Sequence, residues 1–239
     1  MKVRPILFGP PMARGVLSGQ KTSIRRPVKH QPDVPVTDAI PRREYPHGPS
    51  TIDWYWRPKH EHLNGVPSSG WNFKCPYGQP GDRLWGREPF GEVYEYCDHP
   101  EMPGCPTEYW HIAWKYRADG EPPEIEDGVF TGWKPNIHMP RIASRILLEI
   151  TDVRVERLRN SADLTLLDEL GDMLDDCNCT AGKEFSRIEH LQSAGAPLKM
   201  IPEMYGFKAY WDEKNGIGSF DSNPWVWVVE FNRICGPSL

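Results

Sequence analysis

The chain has 239 residues, of which 38% are hydrophobic, and a formal net charge of −5. That length suits one domain with insertions. The acidic balance excludes a basic field over the whole surface, so any nucleic-acid contact has to come from a local patch. No run of about 18 apolar residues occurs, which excludes a membrane-spanning helix. The apolar stretch near Met1 is too short for a secretory signal, so the six cysteines read as reduced thiols of a cytoplasmic protein. The 25 prolines call for long irregular segments, because proline interrupts helices and central strands. The ten tryptophans supply much buried area from few residues.

In chain order, "RPILF" at 4–8 reads as a short strand. A helix follows, with Pro11 suited to its start and Gly19 to its C-terminal cap. Lys21 to Arg26 then run extended, because Pro27 biases Arg26 away from helix. Residues 27–80 are rich in Pro, His and Gly and read as a surface excursion with at most short strands. "PGDRLWGRE" at 80–88 is a turn and then a strand, with Trp85 and Arg87 on one face and Glu88 on the other. Residues 91–108 read as another loop, 109–120 as a strand ending in a turn, and "EPPEIEDG" as an acidic loop.

The clearest strand is "SRILLEITDVRVERL" at 144–158, with Ile146, Leu148 and Ile150 on one face. Residues 162–174 read as a helix capped by Ser161, and 203–216 as a second, aromatic helix. The last strand, 224–234, alternates Trp225, Trp227, Val229 and Phe231 with Val226, Val228 and Glu230, and is apolar enough to be core on both faces.

The stretch "GQKTSIRR" from Gly19 to Arg26 sets one lysine, two hydroxyls and two adjacent arginines directly behind a helix. Lys21 can serve as a cation or, with burial, as a base. Arg25 and Arg26 have the fork geometry for a phosphate. The plain alternatives are a solvated lysine and a structural salt bridge. Trp85 can stack on a base or pack in the core, and Glu88 is a candidate carboxylate. Trp133, His138 and Arg141 combine stacking, proton-transfer and phosphate-binding groups before the long strand. Asp82 and Arg83 read as turn chemistry, and Tyr210 and Trp211 as core or pocket wall. Neither the set Cys97, His99, Cys105 and His111 nor "CNC" at 177–179 has metal-site spacing. No cofactor motif occurs.

Five pieces occur in order: "SGQKTSIRRPV", "CPYGQPGDRLWGRE", "WKPNIHMPRIASRILLEITDVRVERL", "FKAYWDEKNG" and "NPWVWVVEF". Together they resemble the phage and prophage branch of the ASCH domain family. The resemblance implies an α+β fold: a PUA-like small mixed β-barrel with a few flanking helices. It would be a single domain over 1–239, with long irregular loop insertions at 28–70 and 89–110. It also implies binding of RNA, a nucleotide or a modified nucleobase in the cytoplasm of a bacterial host.

Some members of the family are hydrolases that deacetylate N4-acetylcytidine. They carry Gly-x-Lys-x-x-Thr-x-Arg and use its lysine, its threonine and a later helical glutamate. Gly19, Lys21 and Arg26 match that motif, Glu169 best matches the glutamate, and Ile24 stands where the threonine would be. The expected catalytic candidates are thus Lys21 and Glu169, with Glu88 and His138 as further acid–base groups. The expected nucleic-acid contacts are Arg25, Arg26, Trp85, Trp133 and Arg141. Lys21, Trp85, Arg141 and Glu169 are expected around one concave surface. Without the threonine hydroxyl, deacetylation is expected to be weak or absent. The alternatives are a non-catalytic RNA-binding module, a ribonuclease using His138 with Lys21 or Glu88, and a phage morphogenesis or structural protein.

Overall fold

The computed structural model describes residues 1–33, 35–41, 53–58, 72–97, 108–121, 128–159, 167, 170–176 and 178–234. Its strands are β1 (Val3–Leu7), β2 (Ser23–Pro27), β3 (Val36–Pro41), β4 (Asp53–Pro58), β5 (Asn72–Lys74), β6 (Arg83–Arg87), β7 (Phe90–Cys97), β8 (Glu108–Tyr116), β9 (Gly128–Phe130), β10 (Leu147–Arg157) and β11 (Trp225–Arg233). Its α-helices are α1 (Pro10–Leu17), α2 (Thr180–Ser193) and α3 (Pro202–Asn215). The class is mixed α+β, as expected. Among the described residues no helix is long and apolar enough to cross a membrane.

The main sheet has the order β1-β6-β10-β11-β2. β1 and β6 are parallel and the other pairs antiparallel. One face carries Ile6, Leu84, Leu148, Ile150, Trp227, Val229 and Ile24, joined by Met12 and Val16 from α1. β4 covers this face with tryptophans at alternate positions. Trp54 meets Trp227 edge-on at 5.3 Å, and Trp56 lies 5.3 Å from Trp225. On the opposite face Val226 and Val228 pack against Phe207, Tyr210 and Trp211 of α3. β11 is thus buried on both sides, as its unbroken apolar run implies.

Three expectations are corrected. First, the described strands form three separate sheets and no closed barrel. The edge strands β1 and β2 do not pair. They meet through the Arg26 side chain, which donates to Arg25 O (2.8 Å) and Leu7 O (3.4 Å). Second, the stretch 28–70 is more than a surface excursion. β3 and β4 bury Val36, Ala39, Trp54 and Trp56 because the sheet's apolar face would otherwise be open to water. Third, much of 89–110 is strand. β7 pairs with β8 from Phe90↔Tyr116 to Cys97↔Glu108, and Phe90 and Val93 are buried. The Pro and Gly residues behind the loop reading cluster beyond Cys97.

Of the helix expected at 162–174, only its last turn and isolated residues are described, and Gly171–Leu174 is a 3-10 turn. Its earlier part, the acidic loop at 122–127, His99, Cys105 and Cys177 lie outside the described residues. Helix α2 is an element the sequence reading left unassigned. Its residues are mostly exposed, and it packs on α3 through Gly206, where a Cβ would sit 3.0 Å from Ala181 O.

Asp82 fixes the start of the sheet. It is buried, with Oδ1 accepting from Lys2 N (2.7 Å) and Oδ2 from Arg4 Nη1 (3.1 Å). Burial opposes its charge, but the hydrogen bonds from Lys2, Arg4 and Gln79 together outweigh it and hold the carboxyl below the usual aspartate range. A depressed folded-state pKa contributes stability that is present above the unfolded value, near pH ~4, and is lost as pH falls through the folded value. Asp82→Asn is therefore expected to lower stability at pH 7 by about 1–3 kcal/mol. It should also flatten the acid limb below pH ~4 in denaturant titrations. An unchanged acid limb would remove Asp82 from this role.

Candidate ligand-binding cleft

The motif turns on Gly19, which has φ +79° at the end of α1, a conformation glycine adopts without strain. Lys21 N then donates back to Gly15 O (2.9 Å). Gly15 has a steric reason as well, since a Cβ there would lie 3.2 Å from Lys21 Cβ. The lysine stem lies along the helix, and Lys21 is only 2% exposed.

From Ser23 the chain pairs with β11, and alternation sorts the side chains. Ile24 opposes Val229, is 0% exposed and belongs to the core. Ser23 opposes Glu230 and Arg25 opposes Val228, so both lie on the helical side. Arg25 is 1% exposed, with Nη2 4.0 Å from Glu156 Oε1. Arg154 extends this ion-pair row to Asp152, Glu156 and Glu230.

A cleft of about 450 Å3 opens where β1 and β2 fail to pair. Leu7 and the first turn of α1, including Pro10 and Pro11, form one wall. Arg25 and Arg26 form the second. The third is α3, through Tyr210, Trp211, Lys214 and Asn215. Trp211, Lys214 and Asn215 share a helix face because they stand at i, i+3 and i+4. Asn136 reaches in from a 3-10 turn at Asn136–His138, its amide donating to Phe8 O (3.1 Å).

Of the residues expected around one concave surface, Lys21, Trp85 and Arg141 are not in the lining of this cleft. Arg25 and Arg26 line it. Lys21 is buried against α1. Trp85 is half-buried beside Arg87, whose guanidinium carbon lies 5.3 Å from its ring centroid. Arg87 opposes the cleft residue Leu7 in the β1–β6 register. Arg87 also donates to Ile137 O, which ties the Asn136 turn to the sheet. His138 is exposed on that turn, and Arg141 is exposed on the next one, Arg141–Ala143. Trp133 packs edge-on against Phe130 at 5.0 Å. Glu169 lies outside the described residues.

Glu88 is elsewhere. It is 0% exposed and accepts from Arg145 through both oxygens (2.9 and 3.0 Å). Arg145 also grips Asp119 twice at 2.7 Å and lies 4.0 Å over the Tyr116 ring. Burial works against the Arg145 charge, but the hydrogen bonds to Glu88 and Asp119 outweigh it and raise its pKa. The arrangement fastens the β7–β8–β9 sheet to the main one.

Asn136, Lys214 and Asn215 were not among the sequence candidates. The available signal was the i+3 and i+4 spacing of Lys214 and Asn215 after Trp211 at the end of α3. Asn136 had no such signal. Among the described residues no group of three or more His, Cys, Asp or Glu side chains is placed to hold a metal. No family model, no curated protein and no solved structure matches the chain.

Removing one member of a buried ion pair leaves the other charge uncompensated. Arg145→Ala is therefore expected to cost about 3–5 kcal/mol in urea unfolding. Adding Glu88→Gln should recover part of the loss. A loss below about 1 kcal/mol, the range of an exposed pair, would contradict this role for Glu88.

Proposed function

We propose that the protein recognises a nucleic acid or a modified nucleobase, in the manner of an ASCH protein of the PUA-like class, and that the cleft is its binding site. One observation carries this reading: Arg25 and Arg26, from the motif that prompted it, share a cleft with Tyr210, Trp211 and Lys214. Guanidinium groups match phosphate oxygens in shape and charge. Tyr210 and Trp211 are buried, so they give the cleft an apolar wall against which a flat ring can rest. The cleft volume falls within the range of small-ligand sites.

Recognition without catalysis fits better than hydrolysis. The position where the deacetylases carry a threonine is Ile24, wholly buried in the core on the side away from Ser23 and Arg25. An acyl-transfer step needs a nucleophile and a stabilised oxyanion, and isoleucine supplies neither. Incubation with N4-acetylcytidine should release little or no acetate. Rapid release that Lys21→Ala abolishes would move the reading to a hydrolase.

Binding is tested by fluorescence anisotropy with a short unstructured RNA. Two cations on phosphate, Arg26 and Lys214, give a log–log salt slope near −1.4, so affinity should fall about sevenfold between ~50 and ~200 mM salt. Lys214→Ala, at an exposed position, should weaken binding and reduce the slope by about 0.7. Arg26→Ala should weaken it further, with a melting curve to separate loss of contact from loss of the Leu7 bridge. The proposal fails if nothing binds at low salt, or if both folded variants bind like the parent.

A further inference from the structure

The sheet face beside the cleft is set by the alternation of β6. Leu84 joins the core, and Gly86 lies so close to Ile146 that a Cβ there would sit 2.7 Å from Ile146 Cβ. Arg83, Trp85 and Arg87 are therefore turned to the opposite face. On that face Trp85 has Pro5 of β1 on one side and Leu147 of β10 on the other. Leu7, opposite Arg87, is 43% exposed and also lines the cleft, so the two surfaces are continuous. α3 covers the same side of the sheet at Val226 and Val228. None of the three apolar clusters takes in Leu7, Trp85 or Leu147. The charges of this face are also left open. Arg4, Arg14, Arg145 and Arg154 each meet a carboxylate. Among the described residues Arg83 and Arg87 meet none, and their enclosed Nε donors find no acceptor. Glu149 opposes Arg83 in the register, yet it is exposed and forms no ion pair with it. A buried donor without an acceptor is rare in folded proteins and calls for a physical reason.

Resting on the binding reading above, we infer that the ligand is a single strand of nucleic acid, which leaves the cleft past Leu7 and crosses the face of Arg87, Trp85 and Arg83. Phosphates of the strand meet the two guanidinium groups, which the protein itself leaves without an anion. The half-buried indole of Trp85, with the Arg87 guanidinium carbon 5.3 Å from its ring centroid, offers a base an apolar surface between them. Arg83 and Arg87 stand four positions apart in β6, about 13 Å along the strand. At ~3.4 Å per phosphate of a stacked strand, that distance takes about four nucleotides. A free nucleotide fills the cleft and leaves this face empty. An acidic polypeptide is the other occupant that two arginines would attract. The strand is favoured because it joins two adjoining cationic surfaces by one repeating charge.

The experiment measures binding of uridine oligomers of two to ten nucleotides by anisotropy and calorimetry. Affinity should rise with length and level off near six nucleotides. Two further phosphate contacts should steepen the decamer's salt slope to about −2.8, a loss of about fiftyfold between ~50 and ~200 mM salt. Arg83→Ala should weaken the decamer about two- to fivefold and reduce its slope by about 0.7, while the dinucleotide binds as before. Glu149→Gln removes a repelling charge from the same face and should tighten the decamer alone, a gain that misfolding cannot imitate. Equal affinity for dinucleotide and decamer overturns the inference. So does a decamer that ignores both substitutions while Lys214→Ala still weakens it, and in that case the cleft stands as the site. A decaglutamate peptide that binds the parent as tightly as the decamer, and loses affinity in Arg83→Ala, assigns the face to an acidic polypeptide and also overturns it. Failure of every oligomer to bind at low salt removes the binding reading itself.

Discussion

The packing of β11 on both of its faces is the constraint on which the rest of the molecule depends. On one side Trp225 and Trp227 meet Trp54 and Trp56. On the other Val226 and Val228 receive Phe207, Tyr210 and Trp211. Each fully buried large side chain contributes about 1.5–3 kcal/mol of transfer free energy. A slip of one residue would exchange the two sets. It would set indoles against α3 and small valines against β4, with voids on one face and overpacking on the other. The register is thereby specified from two sides. It passes directly to β2, which pairs with β11 over five positions from Ser23 to Pro27.

That inherited register decides the chemistry of the motif. Ile24 is held against Val229 in the core, so its neighbours Ser23 and Arg25 must turn to the helical side. A threonine at position 24 would bring a hydroxyl into an apolar cluster, where an unmet hydroxyl costs about 1–3 kcal/mol. Isoleucine thus suits a strand whose inner face is structural and whose outer face and end carry polar work. Arg25, nearly inaccessible, is balanced by Glu156 and through it by the Arg154 row. An ion pair held in this way fixes the direction of the guanidinium at the edge of the strand.

Most strands could be read from the chain because their patterns are local. The alternation of Leu148 and Ile150 and the apolar run from Trp225 to Phe231 need no tertiary information. The motif turn was equally open to reading, through Gly19 and Pro27. Three features were hidden for physical reasons. β4 is flanked by proline-rich sequence, and its Trp54 and Trp56 make sense only against Trp225 and Trp227 far along the chain. α2 buries only Ala181, Gly182 and Ile188, and comes close to α3 at Gly206 through Ala181 and Phe185, so its polar sequence gave little signal. Glu88 resembled a free carboxylate until the fold brought Arg145 to it across 57 positions. The cleft was half visible: its arginines stand in one conspicuous run, whereas Asn136 enters only because Phe8 O lies within its reach.

The failure of β1 and β2 to pair explains why a site can exist at this place. Two edge strands that approach without a ladder leave backbone groups unmet, and an open edge invites pairing with another chain. Here α1 fills the gap above the core, and the Arg26 guanidinium covers the remainder by donating to carbonyls on both sides. The same side chain can therefore blunt the edge and face the cleft. The surrounding charge is acidic overall, with pI near 5.9. The field of the cleft's cations extends over roughly one Debye length, about 8 Å at physiological salt, and is screened beyond that distance. Under the binding reading proposed above, a long polyanion would gain little from the surface outside the cleft and the Arg83–Arg87 face beside it, and selectivity would rest on the groups inside the cleft.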